Sequence, residues 1–226
     1  MRIGILQTGE APDALRPEAG DYPAMFERLL GGQGFTFRTW KVMEMDFPAS
    51  PSEADGWLIT GSRHGAYEDL PFIKPLETFI RAVYDAHVPL VGICFGHQII
   101  AQALGGKVEK FHGGWSVGPT DYDFGGETLT LNAWHQDQVT KLPEGATRVA
   151  SSPFCENAAL VYDDRAYTVQ AHPEFADDFV SGLIKTRGKG VVPEAQLAAA
   201  EARLGTPLAA GAIAARIGEF FKHPRG

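Results

Sequence analysis

An α/β fold built on a mostly parallel central sheet flanked by helices, in three layers, is what this sequence predicts. Three observations carry it. The chain opens strand–helix–strand, with Arg2–Glu10 reading as a strand that ends in a glycine turn, Tyr22–Leu30 at helical spacing, and Phe35–Met43 alternating; such a βαβ unit implies parallel strands. A second apolar run, Pro89–Ile93, changes to helical spacing at Gly96 without an intervening loop. At 226 residues with 44% apolar content, the chain has the material for one full core.

The elements follow in order. Arg2–Glu10 ends in a glycine turn at Gly9, and the helix Tyr22–Leu30 stops at Gly31-Gly32, a C-terminal signal. After Phe35–Met43, a loop with Pro48 and Pro51 leads to a third strand, Gly56–Thr60, which stops at Gly61-Ser62. Pro71–His87 repeats Phe72, Ile73, Leu76, Phe79, Ile80 and Val83 near helical spacing. The strand Pro89–Ile93 and the helix through Leu104 come next. Lys107–Ala133 breaks into short runs with glycine turns, which suggests a small antiparallel sheet. Ala146–Ser151, Ala158–Tyr162 and Tyr167–Gln170 complete the main sheet. A helical C-terminal extension, about 176–226, contains Glu194–Leu204 and Ala209–Lys222 and belongs to the same single domain, 1–226.

Composition narrows the function. A net charge of −8 without a basic run argues against nucleic acid or an anionic membrane as partner. No apolar stretch reaches the length of a membrane span, and Met1-Arg-Ile-Gly-Ile reads as a strand rather than a leader. Two cysteines make no disulfide framework, so a cytoplasmic location is expected. Metal-ligand spacings, phosphate loops and dinucleotide fingerprints are absent from the sequence, and neither metal nor cofactor is expected.

Cys94 lies at the strand-to-helix corner, between Gly92 and Gly96. A cysteine in an apolar run is usually core packing. The flanking glycines instead fit a nucleophile elbow, a tight turn that lifts the nucleophile out of the sheet toward a helix N-terminus. Such a nucleophile needs a base and an orienting group. His172-Pro-Glu174 ends the last strand; Pro173 biases His172 to extended backbone, where residues i and i+2 share a face. His172 with Glu174 thus reads as the base and its carboxylate. Oxyanion N–H donors are expected from Phe95 and from the Gly61-Ser62 turn.

Gly-Ile-Cys-Phe-Gly-His-Gln at 92–98, His-Pro-Glu at 172–174 and Gly-Ser at 61–62 together resemble the class I (triad) glutamine amidotransferases, over roughly residues 40–180. The resemblance implies a flavodoxin-like fold and a γ-glutamyl thioester on Cys94, formed from L-glutamine with release of ammonia. It implies Cys94 as nucleophile, His172 as general acid/base, Glu174 as orienter, and Gly61 and Phe95 as oxyanion donors. Ser62, Gln98, Trp134 and His135 would bind substrate, the last two from a loop at Ala133–Asp137 that matches the family only in part. The reading adopted is glutamine hydrolysis, with any ammonia acceptor on a separate synthase subunit, and two alternatives accompany it. The first is a γ-glutamyl peptidase acting on γ-glutamyl conjugates. The second is an idle binding or regulatory module.

Overall fold

The computed structural model describes residues 1–224; the last two residues of the expected C-terminal extension, 225–226, lie outside that range. Its strands are β1 (Arg2–Leu6), β2 (Thr36–Trp40), β3 (Gly56–Ile59), β4 (Leu90–Ile93), β5 (Lys107–Lys110), β6 (Ser116–Asp123), β7 (Thr128–His135), β8 (Asp137–Lys141), β9 (Ala146–Ala150), β10 (Ala159–Tyr162) and β11 (Ala166–Val169). Its helices are α1 (Arg16–Ala19), α2 (Tyr22–Leu29), α3 (Ile73–Asp85), α4 (Phe95–Ala103), α5 (Asp177–Leu183), α6 (Glu194–Arg203) and α7 (Ala210–Lys222). A π-helical turn, Ile184–Gly188, continues α5. None of the helices among the described residues is long and apolar enough to cross a membrane.

The main sheet has the order β2-β1-β3-β4-β11-β10-β9. The first five strands are mutually parallel, and β10 and β9 add antiparallel pairs at one edge. Period-two alternation divides the core. Leu6, Trp57, Ile59 and Leu90 meet Leu76, Ile80 and Val83 of α3 and Ile99 of α4. Ile3, Ile5, Leu58, Val91 and Ile93 meet Phe26 of α2 and Ile213, Ile217 and Phe221 of α7. Both sides of every central strand are therefore covered, which is why these strands read as unbroken apolar runs.

The structure departs from the sequence-based expectation at several points. The small antiparallel sheet is two separate ribbons, β5 with β8 and β6 with β7. The stretch 133–137 is not a loop: β7 runs through His135 and β8 begins at Asp137, so the chain passes from one ribbon to the other at Gln136. The first strand ends at Leu6 rather than Glu10, and the second at Trp40, where a 3-10 turn takes over at Val42–Glu44.

The corner after β4 depends on two close approaches. A Cβ added to Gly92 would lie 2.5 Å from the Gly96 carbonyl, and one on Gly96 would lie 2.3 Å from the Ile59 carbonyl oxygen. Both obstacles are backbone, so neither can swing aside. Gly96→Ala is expected to lower stability by about 3 kcal/mol or more, through overpacking against a central strand. Gly211→Ala, with nothing within 4 Å, should be neutral or gain about 0.5 kcal/mol from helix propensity. Denaturant midpoints of the two variants against the parent chain check the contrast.

Candidate active site

The site forms where three adjacent parallel strands end. Gly61 follows β3 by two residues, Cys94 follows β4 directly, and His172 lies three residues after β11. The carboxyl ends of strands in an open α/β sheet are where ligands usually bind. Cys94 has φ 53° and ψ −101°, a conformation that L-residues rarely adopt, and its N–H donates to the Val169 carbonyl on β11. Strain of this kind costs on the order of 1–3 kcal/mol and persists only where the surroundings enforce it. Here Gly92 and Gly96 leave room for it, and the bonds from Cys94 N–H to the Val169 carbonyl and from Gln98 N–H to the Cys94 carbonyl hold it. Phe95, the first residue of α4, turns its buried ring into the core against Phe72. Its N–H belongs to the first helical turn, whose N–H groups have no intrahelical acceptor.

His172 arrives by a route the sequence did not suggest. Only His172 itself is extended, bridged to Asn132 on β7; His172–Phe175 then forms a turn, with Phe175 N–H donating to the His172 carbonyl. The turn, not a shared strand face, brings Glu174 Oε1 to 2.7 Å from His172 Nδ1. Asn132 clamps both ends: its carbonyl accepts from His172 N–H at 2.8 Å, and its Nδ2 donates to the Phe175 carbonyl at 3.0 Å. Phe175 stacks flat on the imidazole, 3.9 Å between centroids and 4° between planes. Asn132 escaped the sequence reading, although a buried polar residue in the otherwise alternating Thr-Leu-Thr-Leu-Asn-Ala was a usable signal.

Electrostatics tie these groups together. Burial alone would lower the pKa of His172, but the neighbouring Cys94 and Glu174, by charge and hydrogen bonding, raise it to about 10. A Cβ built on Gly61 would sit 3.0 Å from His172 Cε1 and 3.8 Å from Cys94 Cβ, so only glycine leaves a gap there. The Gly61 turn is itself held to the end of β1: Thr8 Oγ1 donates to the Gly61 carbonyl at 3.1 Å, and Thr8 N–H donates to Thr60 Oγ1.

The sulfur and His172 open onto a cavity of about 580 Å³. Of the other residues expected to bind substrate, Ser62, Gln98, Trp134 and His135 all line it. Gln98 spends its amide N–H groups on the Asp137 carbonyl (2.9 Å) and Gln170 (3.1 Å), fixing the 136–137 corner. Gly61, Phe95 and Glu174 stand behind the wall, and the Glu174 side chain is fully buried. The far wall was missed entirely. Tyr22 comes from α2, Trp115 from the segment before β6, and Leu183, Arg187 and Val191 from the C-terminal extension. His64 lines the cavity, and its ring meets Glu68 at 3.3 Å. Cys155 is packed, with 1% exposure, and burial raises its pKa to about 12.

Two further histidines are buried beside the site. Burial holds His97 at about 3, aided by His135, and holds His135 itself at about 4, although the Asp137 carbonyl opposes that shift. In the unfolded chain both would take up a proton below about pH 6.5. Between about pH 4 and 6.5 the unfolded state therefore binds more protons, and stability falls as pH falls. His172 acts in the opposite sense, since its stabilisation is complete below about pH 6.5 and is lost as pH rises through about 10. Going from pH 7 to pH 5 should cost about 2 kcal/mol for each of His97 and His135. Denaturant unfolding at the two pH values tests this; equal stability at both would contradict it.

Known proteins share both the sequence and the fold. Residues 35–178 match the family model for glutamine amidotransferase class-I. Gamma-glutamyl peptidase 4 of Arabidopsis thaliana is 34% identical over 182 residues, covering 73% of this chain and 72% of that protein. One subunit of the glutamine-hydrolyzing GMP synthase of Archaeoglobus fulgidus is 41% identical over 165 residues, 69% of this chain and 84% of its own. The crystal structure of a glutamine amidotransferase from Thermotoga maritima superposes with a TM-score of 0.77 at 23% identity, over 99% of each chain. That likeness speaks for the three-layer fold. With the family model spanning well over half of the sequence, including the corner at Cys94 and the turn at His172, the chain belongs to the class-I glutamine amidotransferases.

Proposed function

We propose that this protein hydrolyses γ-glutamyl amide bonds through a thioester on Cys94, and that its substrates have leaving groups larger than ammonia. The observation that carries the reading is a cysteine on a strained elbow beside a buried His172–Glu174 couple, at one end of a roomy cavity. Cys94 Sγ bonds to the γ-carbonyl carbon with its proton already held on His172, whose charge Cys94 and Glu174 favour. The oxyanion so formed is met by the N–H groups of Gly61 and Phe95. Collapse breaks the C–N bond, and His172 returns the proton to the departing amine. Water then adds to the thioester with His172 as base, the C–S bond breaks, and glutamate leaves with the thiol restored. Glu174 accepts from His172 Nδ1 throughout, holding the tautomer and balancing the imidazolium.

The size of the cavity supports a choice between substrates. At about 580 Å³ it falls among sites for drug-sized ligands, roughly 300–1,000 Å³, whereas free glutamine would leave most of it empty. A relative named as part of a glutamine-hydrolysing synthase keeps a second use in view, ammonia delivery to a separate synthase chain. The spare volume favours conjugates. Purified protein given glutamine and a γ-glutamyl dipeptide in parallel should show the higher kcat/KM for the dipeptide. Faster release of glutamate from glutamine would reverse the choice.

A further inference from the structure

The family match ends at residue 178, yet the cavity does not. Thr186, Arg187, Lys189 and Val191 line it from beyond that boundary, on and after the π-helical turn. Four cationic side chains, Arg63, Lys110, Arg187 and Lys189, face the cavity, against the carboxylates of Glu68 and Asp137. This excess occurs in a chain of net charge −8. Elsewhere Arg16, Arg38, Lys41, Lys107, Arg148, Arg203 and Arg216 each have a carboxylate within 4 Å. Among the described residues, none of the four cavity cations has such a partner. Glu68 is occupied by the Gly65 N–H and His64, and Asp137 by the Tyr67 hydroxyl, with Lys110 outside ion-pair distance but near enough to favour the Asp137 charge. Arg187, half-buried, spends one N–H on the Glu10 carbonyl at 3.4 Å and keeps the rest of its five donors. Unpaired cations gathered on a cavity wall set up a field that draws anions.

From this juxtaposition we infer that the leaving amine of the substrate carries a carboxylate, held by Arg187 and Lys189 of the C-terminal extension with help from Lys110. The inference rests on the γ-glutamyl hydrolysis proposed above and names the half of the substrate that reading leaves open. The glutamyl half carries one α-carboxylate and one α-ammonium, so it leaves uncompensated the excess of positive charge by which the four lining cations outnumber Glu68 and Asp137. The residues assigned to glutamyl chemistry, Gly61, Cys94, His135 and His172, all lie inside the family-matched region. The wall that carries Arg187 and Lys189 lies outside it, where the variable half of a conjugate would be read. A planar guanidinium suits a carboxylate through paired N–H donors.

The test uses two substrates of nearly equal size, γ-glutamylglycine and γ-glutamylglycinamide, which differ in the terminal charge. The full chain should prefer the acid by about ten-fold in kcat/KM, chiefly through KM, because a charge-assisted contact is lost with the amide. The preference should shrink as salt is raised. In Arg187→Gln and Lys189→Gln the ratio of the two values should fall toward one. Lys189 is exposed, so its variant stays informative if Arg187→Gln folds poorly. Equal kcat/KM for acid and amide in the parent chain overturns the inference while leaving γ-glutamyl hydrolysis standing. An equal loss on both substrates in the variants also overturns it, by assigning the cations to the glutamyl head. No glutamate from either substrate overturns the hydrolase reading and the subsite together.

Discussion

Cys94→Ala should lower γ-glutamyl hydrolysis by at least about three orders of magnitude while the denaturant midpoint stays close to that of the parent chain. The chain has only one other thiol, Cys155, and it cannot substitute: it is 1% exposed and burial pushes it up to about 12. Water attacking without a covalent step would retain the oxyanion donors but lose the nucleophile that divides one hard step into two easier ones. The fold is expected to survive because alanine keeps the Cβ and gives up one sulfur in a packed corner. Cys94→Gly sharpens the point. At φ 53° and ψ −101° glycine is strained far less than alanine, so Cys94→Gly should be more stable than Cys94→Ala by about 1 kcal/mol and equally inactive. A Cys94→Ala protein that retains full activity would remove the thioester from the mechanism.

Glu174→Gln is the second large effect, expected to cost about two to four orders of magnitude in kcat/KM. The side chain is fully buried and lies 2.7 Å from His172 Nδ1, so glutamine fits the space while the charge disappears. Two consequences follow for the imidazole. A glutamine amide can present its N–H2 to Nδ1 and favour the wrong tautomer. The imidazolium also loses one of the two neighbours that raise its pKa to about 10. If protonated His172 is the working partner of Cys94, the alkaline limb of the kcat/KM profile must shift to lower pH in the variant. Thermal unfolding measured alongside separates this from simple destabilisation. A pH profile unchanged in shape, with only the amplitude reduced, would mean that Glu174 serves packing and not the charge on His172.

Much of this was legible in the sequence where the physics is local. The elbow could be read because glycines two residues either side of a cysteine, at a change of hydrophobic period, impose a corner whatever surrounds it. His172 and Glu174 could be paired by their spacing, although the pairing is made by a turn over 172–175 and not by extended backbone. What could not be read was non-local. Asp137–Lys141 is too polar to announce a strand, and it becomes one only because β5 lies beside it. The cavity wall joins Tyr22, Trp115 and Arg187, residues far apart in sequence that no periodicity links. Asn132 signals its burial by breaking an alternation, but which turn it clamps depends on β7 lying beside His172.

The order β3-β4-β11 at the middle of the main sheet makes catalysis a direct gauge of folding. Each of three neighbouring strands delivers one part, and a slip of one register step would scatter all of them. No partly assembled intermediate should turn over substrate, so the loss of enzymatic rate with added denaturant ought to superimpose on the loss of the sheet seen by circular dichroism.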